Sequence, residues 1–115
     1  MKTLHVRTHM PQEFIEITDI LEKEISEAAV RDRLCVVFVP HTTAGVTVQE
    51  HADPAVREDI LMELGKFVPQ VDKYKHAEGN SAAHIKTALM GASVSITVSA
   101  GRLALGQWQG VFLCE

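Results

Sequence analysis

The sequence predicts an α+β domain, in which a mainly antiparallel sheet has helices packed on it. Short stretches of alternating or continuous apolar residues are typical of strands, and three longer segments have the spacing and start signals of helices. The connections within the strand regions are of hairpin length, which favours antiparallel pairing. The predicted order is ββαββααβββ, and we expect one domain over residues 1–115, since this length gives one core.

The first third of the chain predicts two strands and a helix. Residues 2–8 alternate in polarity, with Leu4 and Val6 on one side, which indicates a half-buried strand. Residues 13–17 can form a second, antiparallel strand. A helix follows from Thr18 to about Val30, and Asp19 places negative charge in its first turn, where the helix dipole favours it.

The middle of the chain has clearer signals for where its strands and its helix begin and end. Residues 34–39 are continuously apolar, which predicts a central strand covered on both faces. A polar stretch, residues 40–45, follows, and residues 46–49 resume as a strand. Asp53 before Pro54 is a strong helix start, and we expect that helix to end near Gly65.

The last third predicts a helix and three strands. A polar loop leads to a helix capped by Asn80 or Ser81 and ending at Gly91. Residues 93–99 alternate as a strand, residues 103–105 follow a turn, and residues 108–114 form the last strand.

Composition narrows the function. A net charge of −4 and a pI near 5.8 argue against a nucleic-acid-binding protein, because no basic stripe could neutralise phosphates. No apolar run reaches the ~20 residues of a membrane span, so no membrane partner is expected. Cys35 and Cys114 lie in apolar runs, which predicts buried thiols in a reducing cytoplasm.

Histidines at the ends of elements suggest a site. Any one of them is more often a hydrogen-bonded structural residue, but four fall in such positions: His41, His51, His76 and His84. Three imidazoles could bind one divalent ion, zinc or magnesium, and leave a position open for a ligand. The spacing alone does not select three of these four as the ligands.

Two stretches could hold an anion. The triplet Gly79, Asn80 and Ser81 opens a helix, where free amides and the helix dipole favour negative charge. Thr42 and Thr43 could also contact a phosphate, although a turn with threonines in strand positions is at least as good an interpretation.

Four motifs resemble the YjbQ family, described as secondary thiamine-phosphate synthases. They are Pro-His-Thr-Thr-Ala-Gly from residue 40, Asp-Pro from residue 53, His-Ala-Glu-Gly-Asn-Ser-Ala-Ala-His from residue 76 and Leu-Gly-Gln-Trp-Gln-Gly from residue 105. The resemblance covers essentially the whole chain. Family members usually continue past Glu115 into a Phe-Asp-Gly-Pro-Arg ending, which is absent from this sequence.

The resemblance implies a compact α+β subunit that forms a homotrimer. It also implies an enzyme that joins a hydroxymethylpyrimidine diphosphate to a thiazole phosphate and releases pyrophosphate, hence a small phosphorylated metabolite as partner. His41, His76 and His84 match the family's histidines, and the resemblance therefore makes them the expected metal ligands. The expected catalytic residues are His41, Asp53 and Glu78, and the expected substrate-binding residues are Thr42, Thr43, Gly79, Asn80, Ser81 and Gln109.

Two other functions fit the same residues. One is a metal-dependent hydrolase of phosphate esters, in which the three histidines hold the ion that activates a water. The other is a non-catalytic trimeric module that binds a small phosphorylated metabolite.

Overall fold

The computed structural model describes all 115 residues. Six strands and three helices follow one another as β1 (Phe14–Glu16), α1 (Thr18–Ala28), β2 (Arg33–Phe38), β3 (Gly45–Glu50), α2 (Pro54–Phe67), α3 (Ser81–Met90), β4 (Ser93–Ser99), β5 (Arg102–Leu103) and β6 (Gln109–Cys114).

The strands form two antiparallel three-stranded sheets. In the first sheet β6 lies between β1 and β3, and Phe112 is opposite Glu16 on one side and Thr47 on the other. In the second sheet β4 lies between β2 and β5, so β2 is an edge strand.

One apolar core joins the two sheets and α1. Val46 and Val111 contribute from the first sheet, Ile96 and Val98 from the second, and Leu21 from the helix. Along β4 the buried residues alternate with exposed ones, as expected of a sheet with one covered face, whereas in β6 the consecutive residues Gly110, Val111 and Phe112 are all buried.

The predicted α+β class and the order of its elements are confirmed from residue 14 onwards. Residues 2–8, in contrast, form no strand and make no main-chain hydrogen bonds to the rest of the main chain. Leu4 and Val6 are half-buried as the alternation predicts, but no neighbouring strand pairs with this segment.

Two further boundaries differ from those predicted. The helix expected to stop at Gly65 continues to Phe67, because a single glycine weakens a helix without breaking it. Its C-cap is Val68, which leaves the helical conformation, as the residue before a proline such as Pro69 tends to do. The strand predicted as central, β2, lies at an edge. None of the three helices has the length and apolar character to cross a membrane.

Candidate functional site

The segment between α2 and α3 is held in place by hydrogen bonds between its own residues. The side-chain amide of Gln70 donates to the main-chain oxygen of Gly79 (3.1 Å), and the hydroxyl of Tyr74 donates to the main-chain oxygen of Pro69. Gly79 has φ +77°, a left-handed conformation that side chains other than glycine's rarely adopt. The loop therefore enters α3 in a fixed direction.

Two histidines meet at the start of α3. The rings of His76, in the loop, and His84, in the first turn of the helix, have centroids 5.4 Å apart and are perpendicular. Nε2 of His76 lies 3.9 Å from Oε2 of Glu78, but the Glu78 side chain is 75% exposed, so water screens this pair.

Asn80 occupies the N-cap position without capping the helix through its side chain. Its main-chain oxygen accepts from the amides of Ala83 (3.1 Å) and His84 (3.3 Å), whereas its side-chain Oδ1 is buried and has no hydrogen-bond partner. The amide of Ser81 also has no partner. A buried polar atom without a partner is rare enough in proteins to require an explanation.

This combination suits a small anion with a hydrogen-bond donor. The Ser81 amide lies at the positive end of the helix dipole, where negative charge is stabilised. The imidazoles of His76 and His84 can each donate to an oxygen, and the free Oδ1 of Asn80 can accept from a hydroxyl.

The segment after β2 does not join this group. His41 lines a broad groove beside β2. Thr43 instead lines a small cavity of about 50 Å³, together with Lys86 and Cys114. Thr42 is exposed.

The residues present do not form the predicted metal site. No group of three histidine, cysteine, aspartate or glutamate side chains is placed to hold a metal ion in this chain. The prediction that His41, His76 and His84 form a metal site is therefore wrong for a single subunit, because His41 is not grouped with the other two. A divalent metal cofactor, zinc or magnesium, stays a prediction.

Two other predicted site residues have local structural partners. Oδ1 of Asp53 accepts from the amide of Ala55 (2.9 Å), as an N-cap of α2 should. Oε1 of Gln109 accepts from the amide of Gly106 (2.7 Å) and holds the turn before β6. Their roles in catalysis or binding stay predictions, as do those of His41, Thr42, Thr43, Glu78 and Gly79.

Sequence reasoning missed some polar residues at notable positions. Burial lowers the pKa of the Lys86 amine, which lines the small cavity. The Arg57 guanidinium lies 5.2 Å from the centre of the Phe112 ring, and its buried Nε has no partner. No spacing in the sequence indicates either environment, since each depends on contacts between distant segments. His51 pairs with Oε2 of Glu16 at 3.0 Å, which is a structural contact.

The model of a protein family described as UPF0047 protein YjbQ-like matches residues 2–115. The UPF0047 protein MJ1081 of Methanocaldococcus jannaschii is 44% identical over 110 residues, which is 96% of this chain and 80% of the relative. The UPF0047 protein YugU of Bacillus subtilis is 40% identical over 116 residues, covering 100% of this chain and 88% of the relative.

Solved structures show the same fold. A protein from Clostridium acetobutylicum, described as an uncharacterized conserved protein of the YjbQ/UPF0047 family, superimposes with a TM-score of 0.93 at 50% identity, over 96% of this chain and 85% of that one. A YbjQ-like protein of unknown function from Sulfolobus solfataricus gives a TM-score of 0.91 at 32% identity, over 96% and 80%.

These matches correct the expected activity. The relatives are described as UPF0047 proteins, as uncharacterized or as proteins of unknown function, and none is described as a thiamine-phosphate synthase. The prediction of that activity is therefore wrong, as is the prediction of a metal-binding protein in so far as it concerns one chain. The matches show that this chain belongs to the YjbQ-like UPF0047 family.

Proposed function

We propose that this protein binds a small phosphorylated metabolite at the start of α3. The observation that carries the proposal is the meeting of His76 and His84, with ring centroids 5.4 Å apart, beside the unpartnered amide of Ser81. Two imidazoles and a helix N-terminus all favour an anion.

The unpartnered oxygen of Asn80 narrows the chemistry of the ligand. A fully deprotonated anion offers only acceptors, which would leave the buried Oδ1 unsatisfied. A phosphate group carries a proton part of the time near neutral pH, because its second pKa is about 6. Phosphate therefore supplies both a donor of the kind that Oδ1 of Asn80 lacks and acceptors for imidazole N–H groups.

The test compares inorganic phosphate with sulfate, which has the same shape but no proton at neutral pH. Thermal unfolding is measured at increasing concentrations of each ion and equal ionic strength. We expect phosphate to stabilise the protein by about 1.4 kcal/mol for each tenfold rise above its Kd, and sulfate to do less. The ring protons of His76 and His84 should shift with phosphate in nuclear magnetic resonance spectra.

Variants locate the effect. His84→Ala and His76→Ala should lose the stabilisation by phosphate, whereas the control His5→Ala, in the exposed N-terminal segment, should keep it. Equal stabilisation of all three variants would show that phosphate acts through general salt effects, and the proposed site would be rejected.

We also propose that the protein is cytoplasmic and that it associates as a homotrimer. The two thiols are free, in keeping with a reducing compartment. The chain exposes 7850 Å² of surface, against about 6,200 Å² expected for a compact monomer of 12.7 kDa. The excess shows that the isolated chain is less compact than a typical monomer, which supports burial of part of its surface against further copies.

Exposed apolar side chains at the end of α2, just after it and in α3 support self-association. Phe67 and Val71 are 79% and 86% exposed, and Leu89 is 59% exposed. Light scattering coupled to size-exclusion chromatography should give about three times the mass of 12.7 kDa. A monomer mass at every concentration would reject the homotrimer.

A further inference from the structure

The small cavity that Thr43 lines lies between the sheet containing β6 and the helices α2 and α3. Its volume of about 50 Å³ gives room for about four water-sized groups. Its lining comes from strands and from both helices, with Gly45 and Cys114, Leu61 and Leu64, and Lys86 and Thr87 as examples. The cavity therefore depends on how three parts of the fold pack together.

The walls of the cavity differ in how firmly they are held. A Cβ atom at Gly45 would lie 2.7 Å from the main-chain oxygen of Gly91 and 3.2 Å from Cβ of Met90, so only glycine permits this approach of β3 to α3. The amide of Val46 donates to the same oxygen of Gly91 (3.1 Å) and fixes the contact. No residue of α2 is fully buried, in contrast, so the α2 wall can open locally and admit a ligand.

Lys86 is the one lysine in the lining. None of the ion pairs of the chain includes it, although lysines usually extend their ammonium groups into water or towards a carboxylate. Burial lowers the pKa of its amine, which increases the neutral fraction near neutral pH. The neutral amine is the nucleophilic form of lysine.

The other reactive groups of the lining leave Lys86 as the favoured nucleophile. Burial raises the pKa of the Cys114 thiol to about 12, so this thiol stays protonated near neutral pH and is a poor nucleophile. Thr43 and Thr87 contribute hydroxyls, each of which can donate a hydrogen bond to a carbonyl oxygen. Glu115 is the remaining titratable residue of the lining.

We propose that Lys86 forms an imine with a small aldehyde, of about two or three carbon atoms, that enters this cavity. The amine nitrogen attacks the carbonyl carbon, so a C–N bond forms as the carbonyl π bond breaks. The two amine protons leave with the carbonyl oxygen as water, and the step needs no oxidant or reductant. A threonine hydroxyl can stabilise the negative charge that develops on the carbonyl oxygen.

The lining favours this chemistry over the binding of an anion. The Glu115 carboxylate would repel an anion in the cavity, and a partly neutral amine offers less positive charge to attract one. An aldehyde is uncharged and meets neither obstacle. The inference does not depend on the phosphate proposal, since His76, Asn80, Ser81 and His84 do not line this cavity.

The test uses acetaldehyde as the probe. Native protein near neutral pH is treated with acetaldehyde and sodium cyanoborohydride, which reduces an imine to a stable ethylamine. Digestion and mass spectrometry then give the rate of ethylation at each lysine. We expect Lys86 to be ethylated at least about tenfold faster than the exposed Lys66 and Lys73.

A second aldehyde tests whether the cavity selects its ligand by size. Benzaldehyde is too large for a space of about 50 Å³, whereas the exposed lysines can react with either aldehyde. The faster reaction of Lys86 relative to Lys66 should therefore be lost with benzaldehyde.

Two alanines on α3 provide matched variants. Ala83 lines the cavity and Ala88 is exposed, so Ala83→Leu fills the space and Ala88→Leu does not. We expect Ala83→Leu to slow the ethylation of Lys86 at least about tenfold and Ala88→Leu to leave it unchanged. Thermal unfolding checks that both variants are folded, and Ala83→Val replaces Ala83→Leu if the larger side chain prevents folding.

Three results would overturn the inference. The first is ethylation of Lys86 no faster than that of Lys66. The second is the same fast reaction in Ala83→Leu as in Ala88→Leu, which would show that the cavity takes no part. The third is an equal preference for Lys86 with benzaldehyde. None of these results bears on the stabilisation by phosphate, so the two proposals fail separately.

Discussion

Two apolar strands of equal length, β6 and β2, have opposite surroundings. β6 lies between two partners, and its residues Val111 and Phe112 are fully buried. β2 has a partner on one side only, and every second residue from Leu34 to Phe38 is more than half exposed.

The difference shows what an apolar run does and does not specify. Apolarity indicates that a segment is to be removed from water, since the gain scales with the area buried. It does not specify what covers the segment. For β6 the cover is the rest of this chain, whereas β2 keeps a free edge and exposes Leu34, Val36 and Phe38.

The largest expected effect comes from truncating an aromatic residue on each strand. Phe112→Ala should lower the free energy of unfolding by about 3–5 kcal/mol, because it opens a cavity in the core. The Phe112 ring also contacts Phe14, with centroids 6.1 Å apart, and lies under the Arg57 guanidinium. Phe38→Ala, on β2, should cost less than about 1 kcal/mol.

Urea denaturation of the two variants measures the contrast. A cost at Phe38 that equals the cost at Phe112 would mean that β2 is already covered in solution. Self-association of the chain over β2 would then account for it, and the loss at Phe38 should grow with protein concentration.

The two cysteines give a second comparison between β6 and β2, with an expected effect of intermediate size. Burial raises the pKa of the Cys114 thiol on β6 to about 12, and burial and then the nearby Glu22 raise the pKa of Cys35 on β2. Cys35 is the more exposed of the two. In native protein at pH 8, a thiol reagent should modify Cys35 at least about tenfold faster than Cys114, because the thiolate is the reactive form.

The same shift predicts a loss of stability in alkali. The Cys114 thiol would ionise near pH 9 in the unfolded chain but only near pH 12 in the folded one, so its contribution is complete below pH 9 and is lost as the pH rises towards 12. The Cys35→Ser variant leaves Cys114 as the one thiol that the reagent can modify. Rapid modification of this variant in its native state would show that the end of β6 opens readily.

The elements themselves were predictable, because their signals are local. Asp53 before Pro54 marked a helix that begins there, and the alternation over residues 93–99 marked β4. The place of each strand in its sheet was not predictable, because it depends on which distant segments pair. β2 was expected to be central for this reason, and residues 2–8 were expected to pair.

The candidate site likewise has a part that could be predicted from the sequence and a part that could not. His76, Asn80 and His84 are neighbours in sequence around one helix start, so their proximity could be predicted. The loop after β2 does approach α3, since Thr43 lines a cavity with Lys86, but His41 lines the groove beside β2 instead. The unsatisfied Oδ1 of Asn80 has no counterpart in any sequence pattern, since helix starts ordinarily use such a side chain as the cap.

The smallest expected effect sharpens the comparison at a valine. Val36→Thr keeps the shape and strand preference of the side chain and should change the free energy of unfolding by no more than about 0.5 kcal/mol, because the hydroxyl remains in water. The control, Val46→Thr on β3, buries the hydroxyl of a side chain that is 1% exposed and should cost about 1–3 kcal/mol. Thermal unfolding at low protein concentration measures both. An equal cost at the two positions would show that the exposed face of β2 is covered in solution.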